Sequence, residues 1–243
     1  MKKVAIHQAN FFPWLPFFHK LASVDHFVLL DDVQYERTGA GSWQNRVRLA
    51  FQGNPYWLTC PLDRSVPKTA QIREMRIQAD PRWKKKAINT LQLQYKKAPH
   101  FEAAFPLVQE LILNDTSNLA HYNEHAIRRI CQHLELTTII SLSSDLNIQT
   151  TGTQRLIDLV KASDGDTYFA GRNAARTYQE NEAFDQQGIE LVLENYSALP
   201  YAQLKTTEFV SGLSIIDALM NVGAEETVAL LQIHQLPDHA TVA

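Results

Sequence analysis

The sequence predicts an α/β protein: a parallel-sheet, Rossmann-like core carrying a β-hairpin and a mainly helical insertion. Three observations predict it. The chain opens with a strand–helix–strand pattern over residues 3–35. The same alternation returns over residues 137–193 as β-α-β-α-β, the signature of a parallel sheet. Between them lie two alternating segments around a strong turn, followed by three consecutive helical patterns. The two strand sets are expected to form one sheet, so that residues 1–60 form a βαβ unit plus hairpin, 80–135 a helical section and 136–223 a second α/β half.

Val4-Ala5-Ile6 is a short apolar run that breaks into polar residues at His7-Gln8. A loop rich in Asn, Phe and Pro leads to a segment whose apolar residues, Phe17, Phe18, Leu21 and Ala22, have helical spacing. Phe27-Val28-Leu29-Leu30 is a second strand-length run and stops at Asp31-Asp32. Residues 36–42 read as a loop broken by Gly39 and Gly41. Residues 43–51 alternate, with Trp43, Asn45, Val47, Leu49 and Phe51 on one face and Gln44, Arg46 and Arg48 on the other. Gln52-Gly53-Asn54-Pro55 is the turn, and residues 56–60 return as the partner strand. Residues 72–78 fit a third short strand.

Asp80-Pro81 starts a helix as N-cap and first helical residue, running to about Lys97. A second helix covers 102–113, and a third begins at Ser117 or Asn118. Residues 137–142, 167–170 and 189–193 are strand-like; 153–162 and 175–187 are helical, the latter stopped by Gly188. Ser214 caps a short helix that ends at Gly223, and a last helix covers 225–233.

The chain has 243 residues, enough to bury a sizeable core, with 45% hydrophobic and 20% charged residues. A net charge of -3 gives no reason to expect DNA or an anionic membrane as the main partner. No apolar run approaches the roughly 20 residues of a membrane span, and His7, Gln8 and Asn10 interrupt any signal-peptide reading of the N-terminus. Cys60 and Cys131 form no C-x-x-C pair, which suits a reducing cytoplasm.

If the first two strands are parallel neighbours, their carboxyl ends lie side by side, where open α/β sheets bind ligands. That places His7, Gln8, Asp31 and Asp32 at one edge. His7 and His19 bracket the loop before the first helix and are similar to the His pairs with which nucleotidyltransferases stabilise a phosphate; the bland alternative is a backbone-bonded His7 and a His19 on a polar helix face. Asp31 and Asp32 can act as a base or bind Mg²⁺, or can cap a turn; only one faces a ligand if the chain is extended. Gln34 continues the polar cluster. Arg46 can clamp a carboxylate or phosphate bidentately, or lie on a solvated face with Gln44. Gly171-Arg172-Asn173 offers backbone N–H groups and a guanidinium to an anion, with Tyr178 on the helix that follows. Lys84 to Lys86, Lys96 and Lys97 read as solvated, as do His121, Glu124 and His125, whose spacing can hold a metal.

These residues carry a family resemblance. His7-Gln8-x-Asn10-x-x-Pro13-Trp14, Asp31-Asp32-x-Gln34 and Trp43-Gln44-Asn45-Arg46 resemble the start of the WbqC-like proteins. The resemblance continues through Tyr95 to Pro99, Asp166-Thr167-Tyr168, Gly171, and Leu213 to Gly223, so that 1–243 reads as one WbqC-like domain. Ala9 stands where the family has Pro, and Arg172-Asn173-Ala174 replaces a glycine- and proline-containing turn. The resemblance implies a place in bacterial surface-glycan (O-antigen, lipopolysaccharide) biosynthesis, with glycyl or other aminoacyl transfer to a sugar as the proposed chemistry.

Together these readings lead to the expectation of a cytoplasmic acyl or aminoacyl transferase acting on a nucleotide-sugar or similar small acceptor. His7, Asp31 and Asp32 are the catalytic candidates. Gln8, Asn10, Trp14, His19, Gln34, Gln44, Asn45, Arg46, Gly171, Arg172 and Tyr178 are the binding candidates. The candidate cofactors are Mg²⁺ with a nucleotide, or an acyl donor, with Asp31 or Asp32 as the metal ligand. The alternatives are nucleotide-dependent adenylyl transfer or ligation, and a non-catalytic binding component of a glycan pathway.

Overall fold

The structure is a computed structural model that describes residues 1–37, 43–51, 54–67, 69–171 and 178–232. Its centre is a five-stranded parallel sheet of β1 (Lys3–Gln8), β2 (His26–Leu30), β5 (Ile139–Leu142), β6 (Thr167–Ala170) and β7 (Glu190–Leu193). The strand order is β5-β2-β1-β6-β7. The two strand sets therefore do form one sheet. The antiparallel hairpin of β3 (Arg46–Phe51) and β4 (Asn54–Thr59) stands apart from it.

Strand alternation sorts the core into two layers. Val4, Ile6 and Val28 face α5 (Gly152–Ala162) and α6 (Tyr178–Asp185), packing with Ile157, Val160 and Phe184. Ala5, Phe27 and Leu29 face the opposite side, with Phe17, Phe18 and Leu21 of α1 (Leu15–Ala22) and Ile215, Ile216 and Leu219 of α7 (Ile215–Leu230). The helical insertion, α2 (Arg82–Tyr95), α3 (Phe101–Leu113) and α4 (Leu119–His133), extends this second layer.

Three local readings change. Residues 72–78 form a 3₁₀ turn, Ile72–Glu74, rather than a strand: the Gln71 backbone N–H donates to Glu74 Oε2 at 2.7 Å in a reciprocal capping box. The buried residues there, Ile72, Met75 and Ile77, lack a strand's period of two. Gln44 lies ahead of β3 and is fully buried, unlike the half-buried Arg46 and Arg48, so it is no part of a solvated face. Lys84 is drawn inward, donating to the carbonyls of Asn114 at 2.6 Å and Leu113 at 3.3 Å at the end of α3. The two helices expected around Gly223 are both present and meet at it, where Gly223 leaves helical geometry with φ 80°. His100 fills the space beside it, where a Cβ would stand 2.5 Å from Nδ1.

Candidate functional site

In a doubly wound sheet the ligand crevice lies where the strand order reverses. Here that point falls between β1 and β6. The two strands pair at Lys3–Thr167 and Val4–Tyr168 and then part, while β6 stays paired with β7 as far as Ala170–Leu193. Past the last shared pair come four groups: His7 at the end of β1, Lys20 from α1, Gly171 after β6 and Glu194 after β7, with Lys20 and Glu194 beside Gly171.

Lys20 is only 4% exposed, and its Nζ donates to the Ile6 carbonyl at 3.0 Å. Burial lowers its pKa to about 8, opposed by the charge of Glu194. A Cβ at Gly171 would stand 3.8 Å from Glu194 Oε2 and 4.0 Å from Lys20 Nζ, so an ammonium and a carboxylate border the space that glycine leaves open. Glu194 is fixed by its backbone N–H, which donates to Ala170 O at 2.8 Å.

His7 packs edge-on against Phe17, with ring centroids 5.1 Å apart, and against Trp14 at 6.2 Å. Its Nδ1 lies 3.1 Å from Gln8 O. A carbonyl only accepts, so the proton sits on Nδ1 and Nε2 keeps its lone pair. Burial, reinforced by Lys20, lowers the imidazole pKa to about 4. His7 is thus neutral at physiological pH, with an acceptor nitrogen.

The carboxylates after β2 are engaged by neighbours. Asp31 is buried; its side chain accepts from Ser144 N at 3.0 Å, Ser144 Oγ at 2.7 Å and Ser143 Oγ at 3.1 Å, holding the turn that follows β5. Both oxygens of Asp32 lie 2.7 Å from Arg155 Nη2 of α5, and Ser143 also donates to it. Among the described residues, no group of three or more His, Cys, Asp or Glu side chains could hold a metal.

The loop after β1 is tied to the hairpin. Gln44 Nε2 donates to Gln8 Oε1 at 2.6 Å, and Phe11 N to Trp43 O at 2.9 Å. Asn123 of α4 donates to both Ala9 O and Gln44 O. Asn10 is buried beside this junction, with an Oδ1 that has no partner among the described residues. Phe12, buried, takes φ 41°, an uncommon conformation for a bulky residue. It is held by Ser214 Oγ, which donates to Phe12 O at 2.8 Å, while Ile215 N donates to Pro13 O at 2.8 Å.

The other candidates are placed as follows. Trp14 lies between His7 and Trp43, 4.8 Å from the latter by ring centroids. Arg46 stacks over Trp57 at 4.5 Å. Asn45 accepts from Tyr35 and donates to Cys60 O, a structural tie. Gln34 is exposed and bridges Gln71. His19 is turned away from His7: it is buried, bonded through Nδ1 to Leu231 O and stacked on Tyr196 at 4.4 Å. Arg172 lies outside the described residues, as does the side chain of Tyr178, which opens α6. Cys60 is buried in apolar surroundings that push its thiol pKa far up, the opposite of what a nucleophile needs.

Sequence reasoning missed Lys20, Glu194, Trp43 and Trp57. Lys20 carried a signal: it sits three residues after Phe17, on the inner side of α1. Glu194 carried none, since it reaches the crevice only through the placement of β7. The late motif residues form a separate buried knot. Tyr95 and Tyr201 donate to Asp217 at 2.7 and 2.8 Å, and Gln203 at 3.1 Å. Burial raises the Asp217 pKa, and these donors oppose it. A cavity of about 940 Å³, lined by Lys3, Asp25, Glu135 and Glu225 among others, opens at the opposite, amino edge of the sheet.

Comparison with known proteins agrees with the motifs. The WbqC-like protein family matches residues 8–229. An uncharacterized protein of Mycobacterium tuberculosis is 32% identical over 227 residues, which is 93% of this chain and 96% of that protein. No solved structure matches. No helix among the described residues is long and apolar enough to cross a membrane.

Proposed function

The chain belongs to the WbqC-like protein family, a membership that points to a role associated with glycan biosynthesis, and from that premise we propose that it is an acyl or aminoacyl transferase acting on the amino group of a nucleotide-linked sugar or similar small acceptor. The observation that carries this reading is the parted β1/β6 edge, where the neutral His7 and the buried Lys20 ammonium lie past the last shared pair, with Lys20 and Glu194 beside Gly171.

In this reading the acceptor amine attacks the acyl carbonyl carbon. The new C–N bond forms, the bond to the leaving group breaks, and His7 Nε2 takes the amine proton. The Lys20 ammonium stabilises the oxygen that gains negative charge, in a site poor in water. Glu194 orients the incoming amine. Asp31 and Asp32 act at one remove, holding the adjacent β2 edge against β5 and α5. Gln8 and Gln44 fix the wall between the crevice and the hairpin, and Arg46 meets the anionic part of the substrate.

The adenylyl-transfer alternative needs His7 and His19 to act together, and no contact among the described residues joins them. The test is a thermal-shift screen with acyl-CoA donors, nucleotide-amino sugars and ATP, each with and without Mg²⁺. A ligand that binds only the folded state raises the melting temperature by mass action. Stabilisation by an acyl donor or a nucleotide-amino sugar supports the transferase. Stabilisation by ATP with Mg²⁺ alone contradicts it.

A further inference from the structure

A row of aromatic rings runs from the loop after β1 to the hairpin. Three of the four tryptophans stand in a row: Trp14 to Trp43 at 4.8 Å and Trp43 to Trp57 at 5.1 Å between ring centroids. The row begins beside His7, 6.2 Å from Trp14. It ends at Trp57, which is 39% exposed although indoles are costly to leave in water. Trp14 and Trp43 are only partly buried.

Two guanidinium groups sit on the same outer face of the hairpin. Arg48 lies directly opposite Trp57 in the antiparallel register, and Arg46 stacks over the Trp57 ring. A cross-strand pair points to one side of a hairpin, so this face combines flat apolar rings with fixed positive charge. Arg48 adds a second, independent observation, an unpartnered donor on this face. Its Nη2 donates to Ser211 O at 3.0 Å, but its buried Nε has no partner among the described residues. A buried N–H without an acceptor is rare in folded proteins.

We propose that this face seats the nucleoside diphosphate portion of the substrate, with the base stacked on the indole row and the diphosphate taken by Arg46 and Arg48. Stacking tolerates any base because every base presents a π-face, while a guanidinium matches phosphate oxygens in a two-pronged geometry. A sugar alone would use the rings and leave the arginines idle; a free phosphate would do the reverse. The combination selects a ligand with both parts. The row then directs the sugar end of that ligand toward Trp14 and His7. This inference rests on the transferase reading for its orientation, but its test does not require turnover.

The test titrates the full chain with UDP and GDP, following tryptophan fluorescence and calorimetric heat, with free glucosamine and a short oligo(U) RNA as comparisons. Both diphosphates are expected to bind and quench the fluorescence. Trp57→Ala is expected to weaken that binding roughly tenfold to a hundredfold, the worth of one base stack, and Trp57→Phe to restore most of it. Arg48→Lys, which keeps the charge and loses the fork, is expected to weaken diphosphates and leave glucosamine unaffected. The proposal is overturned if neither diphosphate binds, if Trp57→Ala and Arg48→Lys bind them as the wild type does, if glucosamine binds as tightly, or if the RNA outcompetes the mononucleotides. Diphosphate binding without any acyl transfer would leave this site standing and remove the transferase reading. Acyl transfer to a free amino sugar without diphosphate binding would do the opposite.

Discussion

Lys20 Nζ donates to the carbonyl of Ile6 at 3.0 Å, at the place where β1 and β6 have ceased to pair. The parting of two strands exposes backbone groups that must find other partners, and here a helix-borne ammonium takes that position. Desolvating a lysine this far is costly unless it is compensated. A hydrogen bond to one carbonyl and a carboxylate in reach, Glu194, supply the compensation. The chain thus places a poorly hydrated positive charge at the carboxyl edge of its sheet, 14 residues in sequence from the carbonyl it binds.

The rate of the proposed transfer is expected to show two limbs. His7 must be neutral, which holds above about pH 4. Lys20 must be protonated, which fails as the pH rises through about 8. A kcat/KM profile is expected to be flat near neutrality and to fall above pH 8. Lys20→Arg, which stays protonated, is expected to push the alkaline limb upward whatever its effect on the plateau.

The same lysine predicts a stability effect. Its folded pKa of about 8 lies below the 10.5 of a free lysine side chain. Between those values the unfolded chain binds more protons, so stability contributed at this site rises with pH. Comparing urea unfolding of wild type and Lys20→Met from pH 7.5 to about 10.5 isolates it. The wild type is expected to gain on the variant across that window, and a constant difference would contradict the buried-ammonium assignment.

Gly171→Ala separates the site from the fold. The added methyl would meet Glu194 and Lys20 at 3.8 and 4.0 Å, ordinary contact distances that require no backbone shift. Stability is expected to change by no more than about 0.5 kcal/mol, as for a substitution that touches no core feature. Ligand binding and turnover are expected to fall sharply, because the methyl occupies the space between the two charges. Circular dichroism melts and the transfer assay read the two effects independently.

Asp32→Asn is expected to destabilise the protein by on the order of 3 kcal/mol, because it leaves Arg155 without its carboxylate in a site where both side chains are mostly buried, 11% and 15% exposed. Arg155→Met should cost a similar amount, and the double variant less than the sum. Additive losses in denaturant unfolding would contradict the pairing.

Tyr95→Phe removes a 2.7 Å donor from the buried Asp217 and is expected to cost about 1–3 kcal/mol at neutral pH. The donors favour the ionised carboxylate, whose pKa burial raises above the usual value. Protonation makes the lost donor matter less, so the deficit should shrink as the pH is lowered. Chemical denaturation at pH 7 and near pH 4 checks it.

Much of this was legible in the sequence because the strands announce themselves. Val4-Ala5-Ile6 and Phe27 to Leu30 are apolar runs ending in polar residues, and parallel pairing follows from the helix between them. What the residues 72–78 do was less legible, since a capping box between Gln71 and Glu74 overrides a short β-like pattern. Asp31 and Asp32 were correctly placed at the sheet edge, but their partners Ser144 and Arg155 come from more than a hundred residues away, and no local pattern reveals such bonds. Lys20 sits on the inner side of α1, three residues after Phe17, but its partners, the Ile6 carbonyl and Glu194, are set by the parting of β1 and β6 and by β7, which no local pattern reveals.

The most direct measurement is a mass-spectrometric transfer assay. It offers acyl-CoA and aminoacyl donors with UDP-linked amino sugars to the wild type and to His7→Ala, Lys20→Met and Gly171→Ala, each first shown to be folded. An N-acylated nucleotide-sugar is expected from the wild type and at least a hundredfold less from His7→Ala, the scale of a lost general base, with Lys20→Met and Gly171→Ala also impaired. Full activity in all three folded variants would place the chemistry elsewhere and contradict the account.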